Sequence, residues 1–287
     1  MSDALLQDSG INLTEDQVTM MFTYIRSKTG MVFAPRLKTW VLKQFEMIYK
    51  ATKSISPGQF LLDLIGERKP MEAQAFFESL TVHETMFYRD KKYFSFVKDT
   101  MLPDLINKNR LKKSLSIWIA AGSSGQEIYS ILFTILNNFP ELLSWNLNFY
   151  STDISSQIIK KAKDGMYEAH EIQRGLEPAD LTKFFIKLND RNWQIKPEFR
   201  SKVTFQTSNL VESFAMLPTF DFISCRNVLI YFDDTTKMDI VKRLGDNLNK
   251  GGYLILGQVD YINCKIPPQG VSYKIADGFP YYIKDQA

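Results

Sequence analysis

The chain is short of the side chains on which metal and redox chemistry usually depends. Its 287 residues include two cysteines, Cys225 and Cys264, and two histidines. Two cysteines cannot build a disulfide scaffold, and ligands this scattered do not make a zinc site, so no metal is expected. Apolar runs near the ~18 residues of a membrane span are missing, as is a signal peptide. With so little cysteine, the expectation is a soluble protein in a reducing, cytoplasmic setting. Charge of one sign is missing too. Lys+Arg 35 against Asp+Glu 32 leaves +3, and the first 75 residues carry nine basic and eight acidic side chains. Charge therefore argues neither for nucleic acid nor for direct membrane insertion. We find no internal repeat. What is present, 45% hydrophobic and 23% charged residues, is ordinary globular composition, at a length that allows a catalytic core plus a smaller domain.

The first 80 residues read as helices. Thr14 can cap an apolar pattern at Val18, Met21, Phe22 and Ile25, with Gly30 as its stop. Pro35 can open a second helix with Leu37, Trp40, Val41 and Phe45 on its buried side, and Ser56-Pro57 a third through Phe60, Leu61, Leu64 and Ile65. Residues 1–80 are thus expected to form a helical domain, with 81–110 as hinge and linker helix. The basic run Asn107–Lys113 is expected to be a solvated part of that linker.

Beyond residue 110 the pattern changes. Leu115–Ala121, Leu147–Thr152, Phe220–Cys225 and Tyr253–Leu256 are short apolar runs of the kind found in buried parallel strands. Between them Glu127–Leu136, a segment from Ser155, and Thr235–Leu248 read as helices, the last stopping at Asn249-Lys-Gly-Gly252. Strands alternating with helices predict an α/β domain over 111–287 with a mostly parallel sheet. Residues 183–205 break the rhythm and predict a small antiparallel excursion, including Val203–Phe205. Val271–Lys284, around Asp277-Gly278, predicts a closing β-hairpin.

Ligands of open α/β sheets bind beyond the carboxyl ends of the strands. Three such ends carry polar groups. Gly122-Ser-Ser-Gly125-Gln-Glu127 offers a tight turn and a helix start with free N–H groups. Asp153, closing the second strand, can accept hydrogen bonds from vicinal ribose hydroxyls or cap the helix at Ser155. Together they indicate a nucleoside-containing cofactor, either NAD or S-adenosylmethionine. The missing GxGxxG and second dinucleotide half favour the methyl donor. Third, Cys225-Arg226-Asn227-Val-Leu-Ile-Tyr231-Phe-Asp233 sets Arg226, Asn227 and Tyr231 at the mouth of the sheet, with Cys225 as buried filler. Thr81–Asp90, at the join of the two domains, would place Thr85 and Arg89 on one helical face, beside an interdomain cleft.

As a set, Thr81–Asp90, Ala120–Ser130, Ser151-Thr-Asp-Ile-Ser155, Asn209-Leu210 and Phe220–Asp233 resemble the CheR-type methyltransferases, which transfer methyl groups from S-adenosylmethionine to glutamates of bacterial chemotaxis receptors. The likeness runs over about residues 12–260. It implies a Rossmann-like methyltransferase sheet with a small antiparallel β-subdomain, preceded by an all-α N-terminal domain. It also implies cofactor contacts from His83, Thr85, Arg89, Glu127, Asp153, Asn209, Leu210, Arg226 and Asn227, with Arg89 and Tyr231 nearest the methyl transfer. S-adenosylhomocysteine would be the product. The partner would be a methyl-accepting chemotaxis receptor, met through its cytoplasmic helices and, at the β-subdomain, its tail peptide. A module that binds S-adenosylmethionine and signals with little turnover is the alternative.

The chain departs from the usual family pattern in several places. His83 stands where asparagine is usual, and Gln126-Glu127-Ile128-Tyr129-Ser130 keeps the second acid of its loop but lacks the proline. The second helix, Arg36–Glu46, carries fewer arginines, and the turn Asn189-Asp-Arg-Asn192 has no glycine.

Overall fold

A computed structural model describes residues 11–52, 54–258, 260, 267 and 269–286; Cys264 lies outside them. The chain divides into two compact units, Met1–Val82 with Tyr231–Thr236, and His83–Ile230 with Lys237–Ala287.

The first unit is helical. In α1 (Glu15–Thr29) the Thr14 hydroxyl accepts from Gln17 N while Gln17 Oε1 accepts from Thr14 N, and Gly30 ends the helix at φ 72°. Such reciprocal capping satisfies two donors that a helix start otherwise leaves open. A 3₁₀ turn, Pro35–Leu37, leads into α2 (Lys38–Lys50). Leu37, expected on the buried side, is instead 37% exposed, because the turn ends there before the α-helical face is set. Ser56 caps α3 (Pro57–Ile65), and α4 (Pro70–Ser79) follows. Met21, Ile25, Val41, Phe45, Phe60, Leu64 and Phe76 form a fully buried core. The segment 231–236 joins this unit through Val32 N donating to Tyr231 O (2.8 Å), a Met31–Phe232 bridge, and an Arg26–Asp233 ion pair at 2.7 Å.

In the second unit, α5 (Lys91–Phe96) runs through a π turn (Val97–Met101) into α6 (Leu102–Asn109), which delivers the chain to a seven-stranded sheet. Its strands are β1 (Ser114–Ala120), β2 (Asn146–Asp153), β6 (Val203–Thr207), β7 (Phe220–Cys225), β8 (Leu248–Leu256), β9 (Val271–Ala276) and β10 (Phe279–Lys284). Their order is β6-β2-β1-β7-β8-β10-β9, with the first five parallel and the β9–β10 hairpin antiparallel. The chain leaves β1 toward β2 and β6, then returns to lay β7 on the other side of β1. That reversal opens a crevice at the strand tips, where ligands of such sheets bind. Helices α7 (Gln126–Asn138) and α8 (Ser156–Asp164) follow β1 and β2, and α9 (Pro178–Phe184) comes later in the chain.

Four expectations need correction. Val203–Phe205 belongs to β6 of the main sheet, pairing in parallel with β2, and not to the antiparallel excursion. The small sheet is β3 (Met166–Glu168), β5 (Asn192–Ile195) and β4 (Phe185–Lys187), in that order, and its outer strand β3 went unforeseen. Its turn manages without glycine because Asn189 Oδ1 accepts from both Arg191 N and Asn192 N at 2.9 Å. The helix expected to reach Leu248, here α10 (Asp234–Asp246), ends two residues sooner, and Leu248–Gly252 already lies in β8. Finally, residues 81–90 are not helical, so no helical face joins Thr85 to Arg89.

Candidate active site

Strand register levels the three tips. Ala120 pairs with Thr152 on one side and Cys225 on the other, so the turn after β1, Asp153 and Arg226 emerge side by side. The turn is tight: Ala121, Ser123 and Gly125 have φ of 56°, 50° and 92°. Gly122 N donates to Thr152 O at 2.8 Å, and a β carbon on Gly122 would sit 2.1 Å from Ser151 Oγ. Ser151 Oγ is itself buried and without a hydrogen-bond partner. Glycine is therefore required there by close approach. Gly122→Ala is expected to cost about 1–3 kcal/mol of overpacking. Calorimetry should show the lost stability together with weaker S-adenosylhomocysteine binding; an unchanged protein would mean that the turn has slack.

Asp153 is 7% exposed. Its Oδ2 accepts from Ser123 N (2.9 Å) and its Oδ1 from Ser155 N (3.1 Å), which ties the β1 turn to the start of α8. Ser155, not Asp153, caps α8, through Ile158 N. Burial pushes the Asp153 carboxyl above its ordinary range, opposed by these N–H donors and by the nearby His83. Ser208 N donates to Asp153 O at 2.9 Å and sets the next loop beside it. In that loop Asn209 Oδ1 accepts from Val211 N, Leu210 is buried, and Arg243 donates to the carbonyls of Leu210 (2.8 Å) and Glu212.

Arg226 and Glu127 face each other. Arg226, its side chain 4% exposed, reaches Glu127 Oε2 at 3.2 Å and Asp90 Oδ2 at 3.3 Å. Its guanidinium lies 3.8 Å over the Tyr93 ring. Glu127 Oε1 accepts from Tyr93 Oη (2.9 Å) and Ser224 Oγ (2.5 Å). Both Glu127 oxygens are thus engaged by protein groups. Burial disfavours the Arg226 cation, but Glu127, Tyr93 and Asp90 together outweigh it and raise its pKa. Burial first, then Glu127, raises Tyr93 far above the usual phenol range, so its hydroxyl stays a donor. Asp90, Tyr93 and Ser224 are the members of this cluster that the sequence reading missed. A helix-capping Asp90, whose Oδ1 accepts from Tyr93 N, was the one local signal available.

The remaining residues occupy the 83–90 segment and the tip of β7. His83 O accepts weakly from Ser123 Oγ at 3.5 Å, and Thr85 is half-buried. Arg89 Nη1 donates to Glu84 O at 2.8 Å. Tyr88 and Asp90, on either side of Arg89, have φ of 50° and 75°. Left-handed backbone at side-chain-bearing residues costs energy and is concentrated at functional sites. Asn227 is exposed, also left-handed at φ 59°. Tyr231 stands with the helical unit, separate from this cluster in the division of the chain.

The residues present fit a nucleoside-bearing donor. A turn with no room for a β carbon, a buried carboxylate one strand over, and an exposed left-handed asparagine on the other side stand at adjacent strand tips. Comparison with known proteins agrees. Residues 83–272 match the family described as "CheR methyltransferase, SAM binding domain". The chemotaxis protein methyltransferase of Vibrio parahaemolyticus is 31% identical over 252 residues, covering 87% of this chain and 90% of that protein. Chemotaxis protein methyltransferase 1 of Pseudomonas aeruginosa is 37% identical over 211 residues, covering 72% and 76%. With the family match spanning most of the chain and these relatives matched along most of their own length, the protein belongs to the CheR methyltransferase family.

Proposed function

We propose that the protein transfers the methyl group of S-adenosylmethionine to glutamate side chains of a chemotaxis receptor, forming methyl esters. The observation that carries this reading is the level register of β2, β1 and β7, which gathers the glycine turn, Asp153 and Asn227 at one crevice of a CheR-family sheet. Relatives named as chemotaxis methyltransferases support the receptor as acceptor.

The donor, when bound, supplies a methyl group on a cationic sulfur. Asp153 accepts from the ribose hydroxyls in this reading, which is supported by the two backbone N–H bonds that fix its carboxylate. Asn209, Leu210 and Asn227 form the adenosine side, while His83 and Thr85 approach along the irregular segment beside the β1 turn. Arg226 and Glu127 act from behind, holding the tip of β7 against α5 and α7.

A glutamate side chain, with a reference pKa of about 4.3, is ionised at neutral pH, so no general base is required. Attack in line on the methyl neutralises opposite charges as the ester forms. The side chains therefore contribute mainly by alignment and by excluding water. Arg89 is assigned to holding the acceptor carboxylate, since Glu84 O engages only one of the donors on its guanidinium.

Incubation with methyl-labelled S-adenosylmethionine and membranes bearing the cognate receptors tests the reading. Label released by mild base as methanol is expected, and it should be lost when receptor glutamates are replaced. Tight cofactor binding with no label on any receptor would replace the enzyme by a signalling module.

A further inference from the structure

Among the described residues, Asp260 is the buried carboxylate with an oxygen that reaches no hydrogen-bond partner. It is 2% exposed and follows the tip of β8, with its N donating to Gly257 O at 2.9 Å. Cys225 pairs with Leu256, so Gly257 stands level with Arg226. A β carbon on Gly257 would lie 2.7 Å from Asp260 Oδ2 and 3.0 Å from the backbone nitrogen of Asn227. Carboxylate and asparagine corner thus crowd the same small space, which only a glycine leaves open.

The arrangement weakens the fold. Burial raises the Asp260 carboxyl to about 6, against the opposing pull of the buried Lys237 on α10 and of the Gly257 N–H. A carboxyl raised in the folded state costs stability as pH climbs from its ordinary value through 6, and the cost is complete above that. An acid retained where it opposes folding is a mark of functional sites.

We propose that Asp260 is a positioning residue for the donor crevice: its Oδ2, unpartnered in this structure and beside the same Gly257 gap as the Asn227 N–H, takes that N–H as its donor when the cofactor binds and so holds the left-handed corner in the form that receives it. This rests on the reading of Asn227 as a cofactor-side residue. Asparagine at 260 keeps the shape and removes the charge. When its carbonyl stays with Gly257 N–H, it presents an NH₂ group that cannot accept from Asn227.

Titration calorimetry with S-adenosylhomocysteine at pH 8, on the full chain, tests this. D260N is expected to melt several degrees higher than the unaltered protein yet bind about tenfold more weakly, with turnover at saturating donor nearly kept, the split expected of a binding effect. Gly257→Ala, which pushes the carboxylate aside, should reproduce the weaker binding, and combining the two should add little. Binding by D260N within twofold of the unaltered protein overturns the proposal, whatever its melting temperature. If N227A then binds weakly, only the role of Asp260 falls. If the unaltered chain does not bind S-adenosylhomocysteine, the reading of Asn227 falls with it.

Discussion

Replacing Arg226 by methionine is expected to lower the melting temperature by about 6–20 °C, the result of roughly 3–5 kcal/mol lost when one partner of a buried ion pair is removed. The magnitude follows from what is left behind. Glu127 would keep Tyr93 Oη and Ser224 Oγ as donors but lose the Arg226 cation, and Asp90 would lose the same partner. The Tyr93 ring would lose a guanidinium packed at 3.8 Å, replaced by a thioether of similar reach. Arg226 is too well enclosed for water to take its place, with 4% of its side chain exposed. Adding Glu127→Gln should recover part of the loss, because an amide can accept from Tyr93 without a buried charge. Thermal unfolding of the two variants checks both statements. A single variant that melts within about 2 °C of the unaltered protein, the range of an ordinary surface change, would show that the cluster is held by packing rather than by charge.

This cluster also shows where sequence reasoning stops. Apolar runs such as Leu115–Ala121 and Phe220–Cys225 reveal buried strands because both faces of a parallel sheet are covered. Once the strands are placed, the polar residues at their carboxyl ends become site candidates by topology alone. Asp90, Tyr93, Glu127, Ser224 and Arg226 meet across more than a hundred residues, and no local periodicity records that meeting. Arg226 and Glu127, implied by the resemblance as cofactor contacts, also bond one another, and reach Asp90, Tyr93 and Ser224 as well. The misplaced boundary at Leu248 has a different origin. Asn249-Lys-Gly-Gly252 has the composition of a helix stop, but β8 uses it in a register shift between Phe220 and Phe222 of β7, where glycine lets two backbones approach. Likewise Val203–Phe205 is as short as a hairpin strand, and only its pairing with Phe149–Ser151 shows that it belongs to the main sheet.

Arg89→Ala should reduce methyl transfer by about 10²–10³-fold, the range seen when a preorganised donor is taken from a reacting oxygen. The fold should be nearly untouched, since the side chain is only half-buried and its guanidinium donates to a backbone carbonyl, Glu84 O. Those two outcomes separate Arg89 from Arg226, whose loss would weaken the protein first and its chemistry as a consequence. The backbone around Arg89 gives the reason to expect a large effect. Left-handed Tyr88 and Asp90 flank it, Tyr88 N is bonded to Ser130 Oγ, Asp90 caps α5, and a β carbon on Gly175 would strike Phe87 O. Such a constrained segment fixes where the guanidinium starts, which is what alignment of an acceptor carboxylate demands. Lysine at 89 should restore only part of the rate, because a single ammonium cannot hold both carboxylate oxygens. Turnover and the Michaelis constant for the receptor, measured with saturating donor, distinguish the possibilities. A fall confined to receptor affinity would make Arg89 a docking residue, and near-normal turnover in the alanine variant would remove it from the mechanism.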